Sequence, residues 1–126
     1  MPVRCLIIDD NAAFVAAARS VLNGDNFKVV GGATTVSEAR RQIRELAPEV
    51  VLVDIDLGEE SGFALARQLA EDGGGDRPRL ILVSTHPEDE FADLIADSPA
   101  VGFLAKSELS AARLSALLNG GAPGSS

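Results

Sequence analysis

Short apolar runs alternate along the chain with longer segments in which apolar residues recur every three or four positions. The short runs predict strands at 4–8, 27–30 continuing into 31–33, 50–53, 79–83 and 101–104. The intervening segments have helical spacing, as at Phe14, Val15 and Ala18 in the first of them. Five strands alternating with five helices predict an α/β fold, a single doubly wound five-stranded parallel sheet of the flavodoxin-like (βα)5 type.

Helix starts are predicted at residues that cap or initiate helices: Asp10 or Asn11, Thr35 with Glu38 three residues later, Pro87, and Ser107. The third helix is predicted from Phe63 to about Asp72, after a loop at 58–62.

The central run at 50–53 contains three valines and ends in Asp54, which predicts a strand buried on both faces with a carboxylate at its carboxyl end. Right-handed crossovers bring the carboxyl ends of the first, third, fourth and fifth strands to one edge of such a sheet. That edge carries five polar residues: Asp9, Asp10, Asp54, Ser84 and Lys106. Open α/β sheets bind their ligands at this edge.

The residue types at this edge suit the handling of a phosphoryl group. Three carboxylates a few ångströms apart need a compensating cation, and Mg²⁺ prefers oxygen ligands. Asp54 is placed centrally to attack phosphorus, while Ser84 can donate a hydrogen bond to one phosphoryl oxygen and Lys106 can pair with another. Each of these residues alone also has a structural explanation, such as a turn or a helix cap.

Length, net charge and cysteine content limit the kind of protein that this chain can be. The 126 residues fit one domain at 1–119, with a Gly-, Pro- and Ser-rich segment at 120–126 as a flexible tail or the start of a linker. A net charge of −8 argues against direct nucleic-acid binding by this domain. No apolar run has the roughly 20 residues of a membrane span, and the residues at 1–4 lack the extended apolar segment of a signal peptide, so we expect a cytoplasmic protein. Cys5 is the only cysteine, which excludes an intramolecular disulfide.

The sequence resembles the receiver domain of two-component response regulators over about residues 3–119. The matching residues are the acidic pair Asp9-Asp10, the acceptor-like Asp54, the hydroxyl of Ser84 and the lysine Lys106. Asp10 and Asp54 are 44 residues apart, Asp54 and Ser84 are 30 apart, and Ser84 and Lys106 are 22 apart. These separations match the family without a gap.

The resemblance implies that a sensor histidine kinase transfers a phosphoryl group to Asp54. It implies Mg²⁺ as the cofactor, bound by Asp9, Asp10, Asp54 and the backbone carbonyl of Asp56. Ser84 and Phe103 resemble the family's switch pair, which alters the face made by the fourth helix, fifth strand and fifth helix. That face is the family's usual surface for a partner or for phosphorylation-dependent homodimers. Phe103 is also placed where it could be only a core residue.

Three departures from the family pattern bear on the site. Ser107 stands where many members have a proline, and the residues Asp56-Leu57-Gly58 replace a common Met-Pro loop. Thr85 replaces a frequently smaller residue and narrows access to the phosphoryl site. In the family, the positions of Asp56 and His86 tune dephosphorylation, so with Thr85 they are expected to set the lifetime of the phosphoryl group.

The residues 84–86 and 103–107 are most similar to receivers that precede a LuxR-type DNA-binding domain. The chain is then either a stand-alone receiver or the front half of a transcription regulator.

Two other interpretations remain open. Asp54 and Asp56 after an apolar strand also resemble the nucleophile and the acid/base of haloacid-dehalogenase-type phosphatases. Leu57, where that motif usually has Thr or Val, and the order of the acidic residues count against this enzyme. A phosphorylation-independent docking module is the other alternative, and the intact set of site residues argues against it.

Overall fold

A computed structural model of the protein describes residues 2–24, 26–57, 60–72, 78–85 and 91–118. The main strands in this part of the chain are β1 (Val3–Ile8), β2 (Phe27–Ala33), β3 (Val50–Asp54), β4 (Arg79–Ser84) and β5 (Gly102–Ala105). The α-helices are α1 (Ala12–Leu22), α2 (Val36–Leu46), α3 (Gly62–Asp72), α4 (Ala92–Asp97) and α5 (Ala111–Leu118). Within the described residues, no helix has the length and apolar character needed to cross a membrane.

The five strands form one sheet in the order β2-β1-β3-β4-β5, and every neighbouring pair is parallel. The order reverses direction after β1, as expected for a doubly wound sheet. The prediction of a five-stranded parallel sheet with five helices is therefore confirmed.

The alternation of side chains along the central strands separates two apolar layers. Val51 and Val53 of β3 pack toward α2, α3 and α4, while Val50 and Leu52 pack toward α1 and α5. All four of these side chains are fully buried. A strand covered by helices on both faces needs apolar residues at every position, which explains the continuous valine-rich run.

Side chains cap the helices largely where the sequence predicts. The Oδ1 atom of Asn11 accepts hydrogen bonds from the backbone N–H groups of Ala13 and Phe14 at 2.9 and 3.3 Å, so Asn11 is the N-cap of α1. The hydroxyl of Thr35 caps α2 by accepting a hydrogen bond from the N–H of Glu38 at 3.1 Å. The prediction of a cap at the start of α1 and at the start of α2 is confirmed.

The last helix and the loop after β3 differ from the predictions. Ser107 lies in a 3-10 turn at Lys106–Glu108, and the hydroxyl of Ser110 instead accepts a hydrogen bond from the N–H of Arg113 in the first turn of α5. The tight turn takes up residues 106–108 and so moves the start of α5 to Ala111. After β3, Asp56–Leu57 and Glu60–Ser61 form a short antiparallel ribbon, the second half of which lies in the predicted loop at 58–62. The predicted helix start at Pro87 lies outside the described residues.

Candidate functional site

Four strand ends carry the predicted polar residues to one edge of the sheet. Asp9 follows β1, Asp54 ends β3, Ser84 ends β4 and Lys106 follows β5. The register brings these ends level, because Ile8 pairs with Val53, Asp54 with Val83, and Ser84 with Ala105. The parallel sheet thus assembles in space a set of residues that are far apart in the sequence.

Lys106 is the cation at the centre of this edge. Its Nζ atom lies 2.5 Å from Oδ2 of Asp9 and 3.3 Å from Oδ2 of Asp54. Only 14% of the Lys106 side chain is exposed, so the ammonium group is largely removed from water. Burial lowers the pKa of Lys106, but the contacts with Asp9 and Asp54 outweigh burial and raise this pKa above its ordinary value of 10.5. Lys106 is therefore held in its charged form.

The carboxylate of Asp9 is completely buried. Its Oδ1 atom accepts a hydrogen bond of 2.9 Å from the N–H of Asn11, which joins the site to the start of α1. Its Oδ2 atom has the ion-pair contact with Lys106 but no other hydrogen-bond partner among the described residues. A buried carboxylate oxygen with spare acceptor capacity is a ready ligand for a cation.

Asp54 occupies an environment that disfavours its negative charge. Burial raises the pKa of Asp54 to about 6, and the charge of Asp9 adds to this rise. Two contacts act in the opposite direction: the N–H of Asp56 donates a hydrogen bond of 3.1 Å to Oδ1, and Lys106 approaches Oδ2. These two contacts do not fully offset burial and the charge of Asp9, so an additional positive charge beside Asp54 would stabilise its carboxylate.

The three predicted carboxylates can act together as cation ligands. Asp9, Asp10 and Asp54 each offer an oxygen, and the three oxygens lie within 4.8 Å of one another. Asp10 is exposed, whereas Asp9 and Asp54 are buried, so the cluster opens to solvent on one side. An all-oxygen donor set with access to water suits Mg²⁺, which retains several of its water ligands. The spare Oδ2 atom of Asp9 is consistent with the same ion.

The structure describes four of the five predicted switch and tuning residues. Ser84 is 1% exposed at the end of β4, and Thr85 after it is exposed. Phe103 is 9% exposed and packs in the apolar layer that faces α4. Its place in this layer leaves open both the switch role and the core role. His86 lies outside the described residues.

Two residues at the site did not emerge from the sequence. The ring of Phe14 lies beneath the Lys106 ammonium group, with Nζ 4.5 Å from the ring centroid. Gly62, the first residue of α3, lies so close to β3 that a Cβ atom there would be 2.0 Å from the carbonyl oxygen of Asp54. Helical spacing predicted Phe14 only as a core residue. The close approach of Gly62 follows from tertiary packing, although a glycine between a strand and a helix is a recognisable signal.

The sequence is similar to that of known proteins. Residues 5–119 match the family model described as response regulator receiver domain. The chain is 32% identical over 89 residues to protein-glutamate methylesterase/protein-glutamine glutaminase 5 of Myxococcus xanthus, covering 70% of this chain and 25% of that protein. It is 26% identical over 111 residues to the DNA-binding transcriptional activator EvgA of Escherichia coli, covering 84% of this chain and 51% of EvgA.

A solved structure shows the same fold. The two-component response regulator of the LuxR family from Aurantimonas sp. SI85-9A1 superposes with a TM-score of 0.79 at 23% identity, over 94% of this chain and 87% of that one. The chain spans between a quarter and half of the length of the curated relatives that it matches. The similarity therefore concerns only a part of each of those proteins.

Proposed function

The chain belongs to the response regulator receiver domain family, and from this premise we propose that Asp54 is its phosphoryl acceptor. Receiver domains of two-component systems are phosphorylated by sensor histidine kinases, so the donor here is a phosphohistidine of such a kinase. The observation that carries the proposal is the contact of one cation, Lys106, with both Asp9 and Asp54 at the carboxyl edge of the sheet.

Transfer to Asp54 requires little acid–base chemistry. A carboxylate oxygen of Asp54 forms a bond to phosphorus while the phosphorus–nitrogen bond of the donor breaks, which leaves an acyl phosphate on Asp54. The demands on the protein are alignment and neutralisation of charge on the phosphoryl oxygens. Lys106 supplies a fixed positive charge within 3.3 Å of Asp54, and the hydroxyl of Ser84 serves as a hydrogen-bond donor at the end of the adjacent strand.

Mg²⁺ is the proposed cofactor of this transfer. Asp9, Asp10 and Asp54 would hold it with the backbone carbonyl of Asp56, and the ion supplies positive charge against the phosphoryl oxygens. The 4.8 Å grouping of the three carboxylate oxygens supports this assignment.

The proposed output surface is the face of α4, β5 and α5. Ser84 and Phe103 are the proposed switch pair that couples Asp54 to this face. Leu94 on α4 is 47% exposed and Val101 beside β5 is 51% exposed, so the face presents apolar side chains to a partner or to a second copy. Phosphorylation-dependent dimers would sediment faster after phosphorylation at high protein concentration. Identical sedimentation of both forms would contradict dimerisation through this face.

Three residues are proposed to set the lifetime of the acyl phosphate. Thr85 and Asp56 are exposed next to the site, where they can limit the approach of water to phosphorus. His86 follows Thr85 in the sequence and is proposed for the same role from the family resemblance. Unchanged rates of dephosphorylation in the Asp56→Ala and His86→Ala variants would contradict the proposal that these residues set the lifetime of the acyl phosphate.

The attached or partner output is proposed to be transcriptional control in the cytoplasm. This proposal rests on two similarities. The sequence at 84–86 and 103–107 resembles that of LuxR-type regulators, and the relative EvgA is described as a DNA-binding transcriptional activator. Residues 120–126 lie beyond the family match, so their role as a tail or linker stays a prediction.

Intact mass spectrometry tests the proposed acceptor. The protein is incubated with acetyl phosphate, with and without Mg²⁺, next to an Asp54→Asn variant that keeps the shape of the side chain. We expect one phosphoryl adduct that requires Mg²⁺ and is absent from the variant. An adduct of equal amount in Asp54→Asn would assign the acceptor elsewhere, and no adduct in any condition would favour a docking module. Rapid turnover of many phosphoesters would instead favour the phosphatase.

A further inference from the structure

We propose that Phe14 is a positioning residue for Lys106, whose ammonium group it holds against Asp9 and Asp54. The inference rests on the proposed function for its catalytic consequence, but the contact itself can be tested separately. It assigns to the first turn of α1 a part in the transfer reaction beyond its place in the apolar layer.

In the described part of the chain, the Lys106 ammonium group lies close to two carboxylates and one aromatic ring. The carboxylate atoms are Oδ2 of Asp9 and Oδ2 of Asp54, at 2.5 and 3.3 Å, and the ring is that of Phe14, whose centroid lies 4.5 Å from Nζ. A cation within about 6 Å of a ring centroid is attracted by the negative face of the ring. The attraction is stronger where water is excluded, and the Lys106 side chain is only 14% exposed.

Phe14 is itself held in place from two directions. Its backbone N–H donates a hydrogen bond to the N-cap side chain of Asn11 at 3.3 Å. The N–H of Asn11 in turn donates to Oδ1 of Asp9 at 2.9 Å. The ring is partly buried and packs against the apolar layer on the α1 side of the sheet. The same turn therefore fixes both the Asp9 carboxylate and the ring.

Lys106 needs such a support because its side chain is long and its backbone is at a strand end. Four rotatable side-chain bonds separate Nζ from the 3-10 turn that begins at Lys106. Ordering a lysine side chain is entropically unfavourable, and a position about 1 Å from the productive one can slow a reaction by about 100-fold. The ring selects the lysine conformation that faces the two carboxylates. We expect its loss to reduce the rate of phosphorylation by roughly tenfold.

Two substitutions distinguish the effect of the aromatic ring from the effect of side-chain volume. Phe14→Leu keeps an apolar side chain but removes the aromatic face, whereas Phe14→Tyr keeps the ring. With acetyl phosphate and saturating Mg²⁺, Phe14→Leu should be phosphorylated about tenfold more slowly than the unmodified protein. Phe14→Tyr should retain most of the rate. Thermal unfolding of both variants verifies that they are folded at the assay temperature.

Lysine-selective isotope labelling gives a direct readout of the contact. The chain contains two lysines, Lys28 and Lys106, and Lys28 is exposed on β2, so it is an internal control. Ring currents should shift the Cε protons of Lys106 upfield in the unmodified protein and in Phe14→Tyr. This shift should disappear in Phe14→Leu while the Lys28 signals stay unchanged. This pattern would establish that the ring lies against Lys106, and the rates of the variants then decide whether the contact positions the lysine.

A double-substitution cycle with Lys106→Met decides whether Phe14 acts through the lysine. In the Lys106→Met background, Phe14→Leu should cause little further loss of rate. An equal tenfold loss in both backgrounds, or an unchanged Lys106 shift in Phe14→Leu, would overturn the proposal. If the unmodified protein acquires no phosphoryl group, the proposed function fails, but the ring-current shift still decides whether Phe14 contacts Lys106.

Discussion

Gly62→Ala should slow phosphorylation of Asp54 because the added methyl group would collide with the backbone that carries the acceptor. A Cβ atom at position 62 would lie 2.0 Å from the carbonyl oxygen of Asp54 and 2.7 Å from Cα of Ile55. Ordinary van der Waals contacts of a Cβ atom are 3.4–4 Å. Both neighbours are backbone atoms, so no side chain can rotate away to relieve the overlap.

The overlap must be relieved by moving either the start of α3 or the end of β3. The N–H of Gly62 donates to the carbonyl of Ile55 at 3.0 Å, and the N–H of Ile55 donates to the carbonyl of Val83 at 3.0 Å. These hydrogen bonds tie both segments to β4, so a shift of about 1 Å is transmitted to the Asp54 carboxylate. A displacement of that size can reduce a rate by about 100-fold. Overpacking of this kind typically lowers the free energy of unfolding by about 1–3 kcal/mol.

A time course of intact mass with acetyl phosphate and Mg²⁺ measures the effect. Gly24→Ala is the matched control, since the nearest atom to a Cβ there is the carbonyl oxygen of Leu22 at 4.0 Å. Urea unfolding of both variants separates a loss of folded protein from a slower reaction. Equal phosphorylation rates in Gly62→Ala and Gly24→Ala would refute the claim that α3 must approach Asp54 without a side chain.

Three further predictions concern the cation, a strained residue and the buried thiol. If Asp9, Asp10 and Asp54 hold Mg²⁺, the free energy of unfolding should rise by about 1.4 kcal/mol per tenfold increase in Mg²⁺ above the dissociation constant. Asp10→Asn should shift that rise to higher Mg²⁺ in urea titrations. Ala47 has a positive φ of 45° at the end of α2, so Ala47→Gly should stabilise the protein by about 1 kcal/mol in urea unfolding. Burial raises the pKa of the Cys5 thiol from 9.0 to about 12. Between pH 8 and pH 10 the thiol therefore stays protonated in the folded state but loses its proton in the unfolded state. The free energy of unfolding should fall by about 1.4 kcal/mol over this range.

Each of these expectations has a control that can contradict it. If KCl of equal ionic strength raised the free energy of unfolding as much as Mg²⁺ does, the proposed Mg²⁺ site would be contradicted. Unchanged or lower stability of Ala47→Gly would show that the left-handed backbone at the end of α2 carries no strain. Cys5→Ala should abolish the part of the alkaline loss that comes from the thiol, and the chain has no tyrosine to titrate in this range. An identical loss in Cys5→Ala would assign it to other groups.

The sequence predicted the strand ends well because the central strands are buried on both faces. A strand such as β3 must be apolar at every position, so the first polar residue, Asp54, also reveals where the strand reaches the edge of the sheet. The same reasoning located Asp9, Ser84 and Lys106. Parallel pairing with right-handed crossovers leaves few alternatives for where these ends lie.

The parts that the sequence did not reveal depend on distances between elements. Ser107 and Ser110 are both suitable caps, and the choice of Ser110 depends on the 3-10 turn that Lys106–Glu108 adopts after β5. Ala47 takes up a left-handed conformation between the last turn of α2 and Pro48, where local propensity favours glycine. Phe14 fits the apolar helix pattern equally well with or without a lysine above its ring.

The two contacts of Lys106 differ in length. Nζ is closer to Asp9, at 2.5 Å, than to Asp54, at 3.3 Å, so Asp9 is the stronger partner in the unphosphorylated protein. Asp9 is also the more buried carboxylate, and it would be the more costly one to leave without a counter-charge. If a cation at the carboxylate cluster neutralised Asp9, the Lys106 ammonium group could pair with an oxygen of a phosphoryl group on Asp54 from the position that it already occupies. The proposed roles of the metal and of the lysine would then depend on each other, because both would neutralise the charge of Asp9.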